Sequence, residues 1–325
     1  MTELSVIIAG FLVLGWSADR FVQGASAIAI NLRVSPLVIG LTIVALGTSA
    51  PEMIVSGMAS WNGNSGLAIG NAIGSNIINT GLILGITALI VPLDVHSSII
   101  RRELPVLLMV MVAAGLLLSD GSLDRTDGVL LLAGMLLMIV WTIRLATHPG
   151  ARPDPVAAEF AGEMPTGIGM GHAILLLVAG IVLMLASSRL LVWAAVSVAQ
   201  HLGISDLVIG LTIVALGTSL PELAASTVSA LRGEHDIAIG NVVGSNIFNM
   251  LAVLGLPGLI GPGEIDAHVM SRDFPVMLAL TMGLFVMAYG FRGRGRLNRP
   301  EGALLVCAFG AYQTLLYFAE VAHAG

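Results

Sequence analysis

Residues 37–49 read LVIGLTIVALGTS, and the same thirteen residues stand unchanged at 207–219, an offset of 170. The register then holds. Pro51-Glu52 answers Pro221-Glu222, Gly70-Asn71 answers Gly240-Asn241, Gly74-Ser75-Asn76-Ile77 answers Gly244-Ser245-Asn246-Ile247, and Asn79 answers Asn249. Fainter echoes lie further out. Arg102-Glu103 matches Arg272-Asp273 at the same offset, and Asp127-Gly128 matches Glu301-Gly302 after a four-residue slip. A repeat this long marks two copies of one structural unit. Shared packing alone does not require thirteen identical residues with Thr and Ser among them.

The units are made of apolar segments. Of 325 residues, 56% are hydrophobic and 10% charged, against about 25% charged in soluble domains. With a mean hydropathy of +0.96, the chain cannot cover itself with polar surface, and it reads as an all-α integral membrane protein. Stretches long enough to cross the hydrocarbon core as helices, roughly 17–25 residues, fall near 4–30, 36–60, 66–91, 104–119, 127–146, 172–200, 205–230, 237–260, 274–291 and 301–321. The first is too long for a cleaved signal peptide, carries Asp19 and Arg20, and has an internal counterpart. The expected organisation is a five-helix repeat over 1–146, a Pro-, Gly- and Ala-rich cytoplasmic linker over 147–171, and a second five-helix repeat over 172–325. Five is odd, so equivalent helices cross in opposite directions. Ten transmembrane helices in two inverted repeats are the plan of secondary transporters, whose site lies near the midplane between the halves.

Arginine placement orients the chain. All 14 basic residues are Arg. With both termini outside, the inner loops hold Arg33, Arg101, Arg102, Arg144, Arg152, Arg232, Arg292, Arg294, Arg296 and Arg299, and the outer loops only Arg125 and Arg272. The expectation is a multi-pass protein of the cell's inner (plasma) membrane with both termini extracytoplasmic. A net charge of -6 offers no basic field to nucleic acid. A lone cysteine, Cys307, excludes an internal disulfide framework and a cysteine-clustered metal site.

The chemistry concentrates where the repeat is strongest. Glu52 and Glu222 fall inside spans, where a carboxylate costs about 2.5–3.5 kcal/mol on insertion scales and marks function by default. Pro51 lacks an N–H and clashes with the carbonyl of Gly47, four residues back. Gly-Thr-Ser-x-Pro-Glu is therefore expected to open the second span and free carbonyls near Ala45, Gly47 and Thr48. Gly217 and Pro221 do the same in the seventh. Such carbonyls are tolerated in a bilayer only inside protein or beside a water-filled cavity, and a hard cation would satisfy them. Ala45, Thr48, Ser49 and Glu52 share one helix face at i, i+3, i+4 and i+7. Asn71, Ser75 and Asn79 form a polar stripe on the third span, a pattern that also serves as interhelical glue. All these ligands are oxygen, which suits sodium, calcium or magnesium rather than zinc or copper. Two carboxylates can neutralise one calcium or a group of sodium ions, but not both at once, and that exclusion is what antiport requires.

GxTxxAxGTSxPE followed by GNxxGSNIxN, present twice, resembles the sodium/calcium exchangers of the calcium/cation antiporter superfamily, over essentially the whole chain. The resemblance implies calcium on Glu52 and Glu222 with the carbonyls of Thr48 and Thr218. It implies an outer sodium site of Ala215, Thr218, Ser219, Glu222 and Ser75, and an inner one of Ala45, Thr48, Ser49, Glu52 and Ser245. Asn79 and Asn249 would line the central position. It further implies three sodium ions exchanged for one calcium, helices one and six sliding against the rest, and no resident cofactor beyond the transported ions. Some branches, including potassium-dependent ones, carry Asp where Asn249 stands. Asn leans against potassium dependence and leaves ion selectivity open.

Other readings compete. A proton/calcium antiporter of the same fold differs in its driving ion, and a calcium channel would conduct without a counter-ion. An intramembrane hydrolase would need a paired Asp, a Ser–His set or HExxH, which the sequence lacks. The partners expected are calcium, sodium and the bilayer, with a monomer as the simplest state and oligomers left open. Seven histidines at loops and span ends read as solvated, and Asp120, Asp124 and Asp127 fail the calcium-loop pattern. Asp19 and Arg189 occupy matching places in spans one and six and could pair across the halves, as a structural contact at best.

Overall fold

The protein is described by a computed structural model over residues 2–32, 34, 36–95, 102–147, 167–201, 215–289 and 295–324. Arg33, Arg101, Arg152, Arg292 and Arg294, most of the expected linker, and positions 207–214 of the second repeat lie outside the described residues.

The chain is helical because lipid offers backbone groups no partners. In order, the helices are α1 (Thr2–Leu32), α2 (Pro36–Thr48), α3 (Ala50–Trp61), α4 (Ser65–Ile90), α5 (Leu104–Asp120), α6 (Arg125–Thr147), α7 (Met170–His201), α8 (Ala215–Thr218), α9 (Leu220–Leu231), α10 (His235–Ile260), α11 (Val269–Ala288) and α12 (Arg299–Ala324). Among the described residues, α1, α4, α6, α7, α10, α11 and α12 are long and apolar enough to cross a membrane. α2 and α3 together form a broken span bent by 44°, and α5 is a shorter apolar helix. The span expected at 205–230 is seen only from Ala215 onward, as α8 and α9.

The sequence pattern does not anticipate four two-residue strands. β1 (Leu93–Asp94) pairs with β4 (Arg296–Leu297), and β2 (Ser122–Leu123) with β3 (Gly263–Glu264), both antiparallel. β3 lies 170 residues after β1, and β4 lies 174 after β2. The two ladders therefore exchange places when the halves are exchanged, and each ties one half to the other.

Burial separates two groups of helices. α4 and α10 are central, and all twelve residues from Ile237 to Phe248 are buried. They anchor one apolar cluster with α5, α11 and parts of α6 and α12. A second cluster joins α1 to α7 through Leu14, Ala18, Phe21, Met184 and Leu191 and meets the core helices at Ile39, Val44, Ala225 and Ile237. A Cβ on Gly180 would stand 2.6 Å from the Phe21 nitrogen, and one on Gly24 2.5 Å from the Leu177 nitrogen. Those glycines let the two long helices cross backbone to backbone, as small residues do where hydrophobicity cannot drive association. The Asp19–Arg189 contact that their matching places allow is not the one formed. Asp19 instead accepts from Arg232 Nε at 2.6 Å, because α1 lies against the end of α9.

Candidate functional site

The local chain is broken where the proline predicts. Ser49 (φ -81°, ψ 4°) leaves helical geometry between α2 and α3, and Ser219 (φ -91°, ψ 5°) does so between α8 and α9. Pro51 and Pro221 stand in the first turns of α3 and α9, where a missing N–H is harmless. One expectation is corrected. The Ala45 carbonyl is not left without a helical partner, since Ser49 N donates to it at 3.0 Å. Pro51 removes only its own donor, so it is the Gly47 carbonyl that loses the helical bond. The second break is closed differently: Ser219 N donates to Leu216 O at 3.2 Å, and Ser188 of α7 donates to Gly217 O at 2.6 Å.

Each break brings a glutamate to the start of a half-helix, and a neighbouring asparagine holds it there. Asn71 Nδ2 donates to Glu52 O at 3.1 Å and to Ser56 Oγ at 2.9 Å. Asn241 Nδ2 donates to Glu222 O at 3.4 Å and to Ser226 Oγ at 2.9 Å. Ser56 and Ser226 were not singled out from the sequence, and Asn241 entered only as the repeat match of Asn71. Their signal was the 170-residue register, which places both serines four residues after a glutamate.

The halves interlock at the centre. Thr48 Oγ1 donates to Asn241 Oδ1 at 3.0 Å and lies 3.5 Å from Ser245 Oγ. Ser49 Oγ donates to Glu222 Oε1 at 3.3 Å. A Cβ on Gly244 would stand 2.7 Å from Ala45 Cβ, so glycine there lets α2 press on α10. Asn79 stands second in the π-helical turn Ile78–Ile83 and Asn249 first in the turn Asn249–Val253, and their carbonyls accept from Leu84 and Leu254, five residues on. Such turns recur at functional sites because they redirect side chains. Asn79 Nδ2 donates to Asn246 Oδ1 and Asn249 Nδ2 to Asn76 Oδ1, both at 3.1 Å.

Ala45, Thr48, Ser49, Glu52, Ser75, Asn79, Ser219, Glu222, Ser245 and Asn249 are all buried, Ser75 on α4 four residues before Asn79. Thr218 is half-buried, and Ala215 opens α8. Among the described residues, seven buried side-chain oxygens have no hydrogen-bond partner. Six of them are Glu52 Oε1 and Oε2, Glu222 Oε2, Asn79 Oδ1, Asn249 Oδ1 and Ser219 Oγ; the seventh is Ser229 Oγ. Buried polar atoms are partnered in the great majority of cases, and with the carboxylates ionised five of those six can only accept. The arrangement lacks hydrogen donors and is suited to a cation.

The family described as sodium/calcium exchanger protein matches residues 2–144 and 172–318. The chain belongs to that family. It is therefore a membrane antiporter of the exchanger kind rather than a catalytic protein by descent. Its relatives include CaxA of Alkalimonas amylolytica, 51% identical over 96% of this chain and 97% of that one. The inner membrane protein YrbG of Escherichia coli is 42% identical over 97% and 96% of the two chains. The sodium/calcium exchanger MaX1 of Methanosarcina acetivorans is 32% identical over 96% and 98%. Among solved structures, the sodium-calcium exchanger NCX_Mj superposes with a TM-score of 0.82 at 30% identity, over 97% of this chain and 98% of that one.

Proposed function

We propose that this exchanger-family chain moves calcium against sodium by alternating access, on ten spans arranged as two inverted five-helix repeats with both termini outside the plasma membrane. The observation that carries the proposal is the set of buried acceptor oxygens on Glu52, Glu222, Asn79 and Asn249. No arginine among the described residues neutralises either carboxylate: Glu222 accepts from the Ser49 hydroxyl, and the hydroxyls of Thr48 and Ser219 lie beside Glu222 and Glu52. An uncompensated carboxylate pair in low dielectric is costly, and a divalent ion or a group of sodium ions offsets it.

In this reading calcium is held by Glu52 and Glu222 with the carbonyls of Thr48 and Thr218. Sodium takes Ala215, Thr218, Ser219, Glu222 and Ser75 on one side, and Ala45, Thr48, Ser49, Glu52 and Ser245 on the other. Asn79 and Asn249 line the centre. Ala45 keeps this role although Ser49 uses one of its lone pairs, because a carbonyl has two. Alternating access is supported by the close packing of α1 on α7, a pair that meets α2, α9 and α10 through Ile39, Val44, Ala225 and Ile237. In this reading the α1–α7 pair shifts as a unit across those contacts. The MaX1 and NCX_Mj names favour sodium as the driving ion.

The test is calcium-45 uptake into proteoliposomes with sodium, potassium and proton gradients imposed one at a time. Uptake driven by sodium alone is the expected result. Uptake driven by protons and indifferent to sodium would assign the chain to proton/calcium exchange, and conduction without any counter-gradient would make it a channel.

A further inference from the structure

An amide side chain has two ends of similar shape and opposite polarity. A cation site can use only the oxygen end. Asn79 and Asn249 are wholly inside the protein, so whichever end faces the ions is set by what holds the other.

We propose that Asn76 and Asn246 are positioning residues that fix the amides of Asn79 and Asn249 with their oxygens toward the ions; this rests on the site reading above. Asn76 Nδ2 donates to the backbone carbonyl of Asn246 at 3.3 Å and lies 3.6 Å from Met277 Sδ. Neither atom carries a hydrogen, so the amino end of Asn76 must point there. Its oxygen therefore faces Asn249, and only the amino end of Asn249 can meet it, at 3.1 Å. The Asn249 oxygen is left turned away and partnerless. Polarity passes in one direction, from the Asn246 carbonyl through Asn76 to Asn249.

The other half repeats the last step with a different anchor. Asn79 Nδ2 donates to Asn246 Oδ1 at 3.1 Å, and Asn246 Nδ2 to Thr80 Oγ1 at 2.9 Å. A hydroxyl can give or accept, so this chain tolerates reversal where the first does not. The repeat equivalent of Thr80 is Met250, which is why the anchors differ. Asn76 is accordingly the stricter of the two.

The experiment is calcium-45 equilibrium binding to the full-length protein in detergent, with thermal unfolding as the check on folding. Freed to turn over, Asn249 loses a charge-assisted contact, so Asn76→Ala should raise the calcium Kd about tenfold. An Asp at position 249 presents oxygen at both ends, so in an Asn249→Asp background the same change should move the Kd by less than about twofold. Asn76→Asp keeps the acceptor that Asn249 needs and should bind within about threefold of wild type. Equal losses in both backgrounds, or a folded Asn76→Asp as weak as Asn76→Ala, would overturn the positioning role. So would an unchanged Kd in Asn76→Ala. Wild-type protein that binds no calcium would overturn the site reading and this role with it.

Discussion

Ser49, from the first repeat, donates its hydroxyl hydrogen to the Glu222 carboxylate of the second at 3.3 Å. The site is thus shared between the halves, and neither copy completes it alone. The reciprocal hydroxyl, Ser219 Oγ, lies beside Glu52 without closing a hydrogen bond of ordinary geometry. The two carboxylates, equivalent by sequence, stand in unequal surroundings.

That inequality is measurable. A net hydrogen bond to a charged group is worth about 1.5–3 kcal/mol. Ser49→Ala should therefore raise the calcium KM by about tenfold, with Ser219→Ala affecting it less. Kinetics of sodium-driven uptake for the two variants check this, and equal effects would contradict it.

Asn241 holds Glu222 O and Ser226 and also accepts from Thr48, whereas Asn71 holds only Glu52 O and Ser56. Removing Asn241 also takes away the hydrogen bond it accepts from the buried Thr48 hydroxyl, worth about 0.5–1.5 kcal/mol. Asn241→Ala should lower thermal stability in detergent by correspondingly more than Asn71→Ala.

Much of this was legible in the sequence, and the limits are instructive. The 170-residue register identifies which residues are equivalent, and Gly-Pro chemistry locates the breaks at Ser49 and Ser219. Equivalence is not contact, however. Residues related by an exchange of halves occupy corresponding places and need not touch. Matching places in spans one and six allow Asp19 to meet Arg189, yet it meets Arg232. The amide chain from Asn76 to Asn249 was hidden for the same reason: it joins non-equivalent positions of opposite repeats. The strand ladders are two residues long, too short for any alternation to announce them.

The Asp19–Arg232 pair ties α1 to the end of α9 at a half-exposed position. Exposed pairs contribute about 0.2–1 kcal/mol, enough to bias a conformational equilibrium without touching the ions. Asp19→Asn should change the exchange rate by up to about fivefold and leave calcium Kd unchanged. A shifted Kd would place Asp19 within the site's influence.

Glu234 lies between α9 and α10, where burial raises its carboxyl pKa above the ordinary range, against the opposing hydrogen bond from Ser26. A raised folded-state pKa gives stability that is full at low pH and lost as pH rises through the folded value. Glu234→Gln should therefore match wild type in thermal unfolding near pH 4 and exceed it near pH 8. A constant difference across that range would contradict the sign.

Three sodium ions against one calcium, the exchange implied by resemblance to the family, move one net charge. Each charge crossing 100 mV is worth about 2.3 kcal/mol, so a valinomycin-set potential must accelerate uptake in one polarity and slow it in the other. Indifference to potential would favour a two-for-one exchange.

The central claim is that Glu52 and Glu222 together hold the transported ions. It is tested most directly by sodium-driven calcium-45 uptake in proteoliposomes bearing wild type, Glu52→Gln or Glu222→Gln. Replacing either carboxylate removes charge that a divalent ion needs while easing the insertion cost of the helix. Both variants should insert and fold, and both should lose calcium uptake. Near-wild-type uptake by either variant would contradict the claim.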